Sequence, residues 1–182
     1  WRSRLSTGVT IFSVPTAPAN IQDSHIRSIS VDLPPSTQLN YAELANITTL
    51  CSEAQINADA CPASSKIGTV NAHVPLLPGA SPNFTGDVFI LSKTSGVTFG
   101  YIVRGPNGVK AQVRGWIQPV DTDGVGGSDR IRAYSENMPQ APFSPANISF
   151  TRPMVLNPVS CGSHPVKTTI TGWSGASWTQ TV

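Results

Sequence analysis

The chain has 182 residues, a formal net charge of +2 from 12 basic and 10 acidic residues, and 12% charged against 39% hydrophobic residues. That length suits one domain with a sizeable core, and because the charged share is about half the usual fraction, the surface must be hydrated by Ser, Thr, Asn and Gln. The charges lie singly, with no run of four alike to follow a phosphate backbone, and the longest apolar run, Val88 to Leu91, falls far short of the ~20 residues of a membrane helix, so nucleic-acid binding and a helical span are both disfavoured.

The chain opens on Trp1 with neither an initiator Met nor a signal-peptide pattern, as expected of a processed protein or a piece of a larger one. Residues 1–29 read as an extension or an inter-subunit strand, with Val9, Ile11 and Val14 strand-like. Period-two alternation then marks strands at Ile29, Val31 and Leu33, closed by Pro34-Pro35. Only the stretch 41–58 looks helical: a short turn from Tyr41 to Ala45, then Ser52 to Ala58, with Ser52 as N-cap and Glu53 at the positive end of the dipole.

Alternation resumes at Val70, Ala72 and Val74 before Pro78-Gly79, at Val97, Phe99, Tyr101 and Val103 before Pro106-Asn107-Gly108, and at Val109, Ala111 and Val113 before Gly126-Gly127. After Gly162 it returns at Val166, Thr168 and Ile170. Many short strands separated by Gly and Pro turns predict an all-β fold: one antiparallel β-sandwich over 1–182, either a jelly roll or an Ig-like Greek key. No internal repeat is visible.

Nine residues separate Cys51 from Cys61, enough for a short helical turn whose ends meet across a disulfide; reduced structural thiols are the alternative. Cys161 is then left over, which in a secreted chain suggests a partner in another chain, in a missing segment, or a free thiol. A Cys3His zinc site built from Cys51, Cys61, Cys161 and His164 has no common knuckle spacing, and a Cys161–His164 nucleophilic pair lacks an orienting group.

Leu33-Pro-Pro, the stretch CSEAQINADACPASSKIGTV at 51–70 and NPVSCGSHPVKTTITGW at 157–173, with Gly175-Ala176 after it, carry a resemblance. Together they look like β-rich modules repeated in large secreted or cell-surface proteins of actinobacteria. The likeness covers about residues 30 to 178, strongly at the two motifs and by pattern between them. It implies an extracellular structural or adhesive module without described chemistry. In similar modules a further Cys follows the W-x-GA stretch, which implies a partner for Cys161 beyond Val182 or in a neighbouring subunit.

Three groups remain as candidate sites. Asp121, Asp123 and Asp129 offer oxygen ligands for Ca²⁺ around a glycine-permitted bend, but Val125 and Arg132 stand where an EF-type loop needs acids, so a polar hairpin loop competes. Trp173, Trp116 and Tyr134 are candidates for a glycan platform, with core packing as the alternative; Trp116 runs out of phase with Val113, which puts it on the opposite face of its strand, and Trp173 sits in a Gly-flanked turn. The sequons at Asn46, Asn83 and Asn147 carry little weight.

Enzymatic signatures are missing: there is no G-x-S-x-G, H-E-x-x-H, Walker or Rossmann pattern, and the only glutamates are Glu43, Glu53 and Glu136. The expectation is a non-enzymatic extracellular or cell-surface subunit without a cofactor, joining copies of itself into a fibre through its terminal segments, Trp1 to Val14 and Lys167 to Val182. The alternatives are a monomeric adhesin module for cell-wall or host glycans, and a phage or virion surface protein.

Overall fold

The computed structural model of the chain describes residues 9–10, 25–73, 83–127, 129–140 and 146–182. The expected strand position Val74, the turn Pro78-Gly79 and Trp1 to Val14, apart from Val9 and Thr10, lie outside the described residues. The described strands are β1 (Val9–Thr10), β2 (Ile26–Asp32), β3 (Gln38–Leu39), β4 (Lys66–His73), β5 (Asn83–Ser92), β6 (Val97–Arg104), β7 (Lys110–Val120), β8 (Arg130–Glu136), β9 (Ala146–Phe150), β10 (Val155–Leu156), β11 (Lys167–Gly172) and β12 (Ser177–Thr181). Two helices, α1 (Tyr41–Asn46) and α2 (Glu53–Asn57), fall where the sequence predicts them.

The fold is all-β and antiparallel. Ten strands form one sheet in the order β1-β9-β4-β5-β6-β7-β8-β2-β11-β12, with β10 and β3 as a separate small pair. Strands β4 to β8 form a meander and β9 returns beside β4, an enlarged version of the Greek-key return. The sheet is curled: β6 and β9 are three strand steps apart, about 14 Å in a flat sheet, yet the Phe99 and Phe150 rings meet edge to face with centroids 5.6 Å apart. The two layers expected of a sandwich are therefore the facing halves of one sheet, enclosing a core that runs from Val70 and Ile148 on one side to Ile29 and Ile170 on the other.

The alternation read from the sequence selects the inner face. On β6 the odd residues Val97, Phe99, Tyr101 and Val103 join the core; on β7 so do Val113 and Ile117, and on β8 Ile131 and Ala133. Helix α1 contributes Leu44 and Ile47 to the same core. The Lys93 ammonium holds the end of this helix, donating to the carbonyls of Leu44 (2.9 Å) and Ile47 (2.8 Å), a favourable place for a cation at a C-terminal end.

The outer face carries a second, smaller core. Cys51, Ile56, Phe89 and Ile102 are buried together, with Cys61 and Leu91 against them. This explains the unbroken apolar run in β5: Val88 and Ile90 face the main core, while Phe89 and Leu91 face α2. The helix lies so close to the sheet that a Cβ at Gly100 would overlap the Ile56 Cδ1 atom. A capping box starts it, with Ser52 Oγ accepting from the Gln55 backbone N–H and Gln55 Oε1 accepting from that of Ser52.

The Cys51–Cys61 disulfide is present, with Cα atoms 5.2 Å apart, and ties both ends of this lid together. Beyond α2, Asp59 adopts a left-handed conformation (φ 57°) and its carboxylate bonds Arg104 and, at 2.7 Å, Lys110. Those two cations are cross-strand neighbours on β6 and β7. Bonds from Arg104 and then Lys110 hold the Asp59 carboxyl below the usual carboxylate range. A depressed folded pKa stabilises the fold above the unfolded value of about 3.9, and the contribution is lost as pH falls below it. Asp59→Asn, which tolerates the same backbone, is expected to cost about 1 kcal/mol at neutral pH. The gap from wild type should close on acidification below about pH 4; urea titrations at both pH values check this.

Candidate functional site: an open edge strand and an outer-face aromatic shelf

The C-terminal segment is folded onto the chain's own sheet. β11 pairs with β2, and β12 turns back to pair with β11, so within the chain itself Lys167 to Val182 form a hairpin tied down on one side. Val166 and Val182 exchange both backbone bonds, 2.9 and 3.0 Å. Antiparallel pairs alternate between bonded and non-bonded positions, so Gln180 and Trp178 direct their N–H and C=O groups toward β11. Those of Ser177, Thr179 and Thr181 point away from the sheet.

β12 is the last strand in the order, and among the described residues nothing pairs with its outer side. Trp178 packs against the core. Threonine and serine hydroxyls fill the other face, Thr179 against Thr169 at 3.1 Å and Ser177 against Thr171 at 2.9 Å. The strand SWTQT contains neither the Lys nor the Pro with which natural edges are commonly blocked. At the opposite edge, the described residues of β1 pair with β9, Val9 opposite Phe150 and Thr10 opposite Ser149.

The three aromatic candidates fall on or beside the outer face. Trp116 and Tyr134 are directly opposite on β7 and β8, with ring centroids 5.9 Å apart and planes 29° apart. Trp116 therefore lies on the face opposite Val113, as its phase predicts, and it is half-buried rather than in the core. The Tyr134 hydroxyl donates to Glu136 Oε2 at 3.1 Å. Partial burial, and then the Glu136 carboxylate, push the Tyr134 phenol above its ordinary range.

Trp173 sits apart, in the β11–β12 turn. The residue is 42% exposed, its indole N–H donates to the Met138 carbonyl at 3.1 Å, and the Arg27 guanidinium lies 5.6 Å from its ring centroid, a cation–π contact.

A hollow of about 310 Å³ opens beside the shelf, lined by Gln112, Val113, Arg114, Trp116, Glu136 and Asn137. The lid forms its border. Arg114 is directed there by Glu53 (2.7 Å) and Asn57 (3.1 Å), and Gln112 Nε2 donates to the Ile56 carbonyl at 2.9 Å. Sequence reasoning missed Gln112, Arg114 and Glu136. Their even numbering, in phase with Trp116 on β7 and with Tyr134 on β8, was the available signal.

The aspartates of the 121–129 loop are occupied with the loop itself. Asp121 accepts the Gly124 and Gly126 N–H groups at 2.8 and 3.1 Å, Asp123 that of Val125 at 3.0 Å, and Asp129 the Thr122 N–H and hydroxyl at 2.7 and 2.6 Å. Bonds from the Gly124 and Gly126 N–H groups hold Asp121 below the usual carboxylate range, and the Thr122 hydroxyl does the same for Asp129. Among the described residues no three His, Cys, Asp or Glu side chains converge as metal ligands. Cys161 is exposed and unpaired, while the His164 imidazole bonds the Ser160 carbonyl at 2.7 Å. Comparison of the chain with family models, with curated proteins and with solved structures finds no match in any of the three.

Proposed function

We propose that the protein is a structural, non-enzymatic module of the cell exterior that joins neighbouring copies by strand addition at β12. The carrying observation is the edge itself: a five-residue strand whose Ser177, Thr179 and Thr181 backbone groups face outward, unpaired on that side among the described residues and with no edge-blocking residue in it. The Cys51–Cys61 disulfide supports an oxidising compartment. The two edges of the sheet, β12 and β1, differ, so joining β12 of one copy to the β1 edge of the next is a heterologous contact, and heterologous contacts that do not close propagate into fibres.

Thr179→Pro tests this reading. Its N–H points outward, so proline removes no backbone bond to β11 and only the exposed hydroxyl contact with Thr169, and the expected cost to the subunit is about 1 kcal/mol. Under native, non-reducing conditions, electron microscopy should show ordered fibres for the wild type and dispersed particles for Thr179→Pro. A wild type that stays monomeric, or a variant that still assembles, sinks the mechanism.

A further inference from the structure

We propose a second site, independent of the edge: a track for a linear, uncharged hexopyranose chain across the outer face, centred on Trp116 and Tyr134. Following the register outward from this pair gives Thr98 on β6 opposite Trp116, then Ser30 on β2 opposite Tyr134, Thr169 on β11 and Thr179 on β12. One row thus runs at right angles to the strands, with two adjacent aromatic residues flanked by Thr98 on one side and by Ser30, Thr169 and Thr179 on the other. Strands are spaced about 4.8 Å apart, close to the advance per residue of an extended hexopyranose chain, so successive sugars would meet successive strands.

The chemistry of the row fits that ligand. Pyranose rings present C–H faces that pack on aromatic surface and a rim of hydroxyls that need both donors and acceptors. Trp116 and Tyr134 supply the apolar contact, beside a hollow whose size, about 310 Å³, is at the lower end of ligand sites. Glu136 supplies a carboxylate acceptor already oriented by the Tyr134 hydroxyl. Asn137, exposed at the rim in a left-handed conformation (φ 53°), supplies an amide.

An uncharged sugar is favoured because the one carboxylate lining the hollow, Glu136, would repel an acidic one, while Arg114 is already ion-paired with Glu53. The lid stands beside this row: Ile56 covers Gly100, two residues along β6 from Thr98, and Thr98 and Trp116 are half-buried.

The test is a titration of the isotopically labelled wild-type protein with cello-, manno-, chito- and laminari-hexaose, with hexagalacturonate as the charged control, followed by amide chemical shifts. Binding by at least one neutral hexamer is expected, with a dissociation constant on the order of 1 mM or tighter. The shifts should fall along Trp116, Tyr134, Ser30 and Thr169. Trp116→Ala should weaken binding about tenfold, and Glu136→Ala should weaken it without altering the thermal transition. Failure of all four neutral hexamers, shifts confined to the Trp173 turn, or preference for hexagalacturonate would overturn the proposal. The wild-type shift map decides the matter even if Trp116→Ala misfolds. The sugar titration of the wild type reads this row and the assembly state of the wild type without sugar reads the edge, so failure of edge assembly and failure of this site are separable.

Discussion

Phe99→Ala is expected to lower the unfolding free energy by about 4 kcal/mol, the largest effect of any single side chain discussed above. Phe99 is fully buried, lies edge-on to Phe150 and stacks at 6.4 Å on Tyr101. Its ring fills space that the neighbouring strand leaves open: a Cβ at Gly115 would overlap both the Phe99 ring and the Ser135 hydroxyl. Truncating the ring removes contacts from three strands and leaves a cavity where the curled halves of the sheet meet. Gly115→Ala should harm the same place by overpacking, at about 1–3 kcal/mol. Thr98→Ala, one residue away on the opposite face, should stay within about 0.5 kcal/mol of wild type. Urea unfolding of the three variants checks the assignment of faces. Equal losses for Phe99→Ala and Thr98→Ala would contradict it.

Loss of the Cys51–Cys61 bond is expected to cost about 3 kcal/mol, mainly because the unfolded chain gains freedom when so short a loop is opened. The effect in the folded state should be local. Cys51 is buried, and its N–H donates to the Ile90 carbonyl at 2.9 Å, which anchors the entrance of the lid to β5. The exit is held by Asp59 on Arg104 and Lys110. With the bond reduced, or with Cys51 and Cys61 both changed to Ala, hydrogen exchange should accelerate through residues 52–62 and change little at the inner-facing positions of β6. Denaturation of oxidised, reduced and doubly substituted protein measures the size. Equal stability of all three would mean that the outer core alone holds the lid.

The two cysteine motifs and the alternating runs were legible because their signals are local. Period-two alternation at Val97–Val103 marks a strand whatever it pairs with, and Ser52 followed by Glu53 marks a helix start from two residues. Pro106-Asn107-Gly108 marks a turn in the same local way, and the structure centres the β6–β7 register on it, with Arg104 opposite Lys110 and Thr98 opposite Trp116. The register of β7 on β8 was not legible. Their connection is the nine-residue loop 121–129, whose shape depends on aspartates bonding its own backbone, and a loop of that length permits several alignments. The approach of Tyr134 to Trp116, and with it the shelf, was therefore hidden.

Strands β5, β8 and β9, with the short β3 and β10, were also missed, for related reasons. β8 places small or polar residues, Ala133 and Ser135, at inner positions, so its alternation is faint. β12 is mostly polar and acquires its strand character from pairing with β11. The sequence by itself determined the all-β class, the position of the lid and the cysteines that close it, because propensity, capping and loop closure act over a few residues. Only the tertiary structure decided that one sheet curls around the core, that β12 is the last of the described strands in that sheet and that Trp116 and Tyr134 share a row. Each of these depends on which strands pair and in what register, and pairing is set by contacts between residues far apart in the chain.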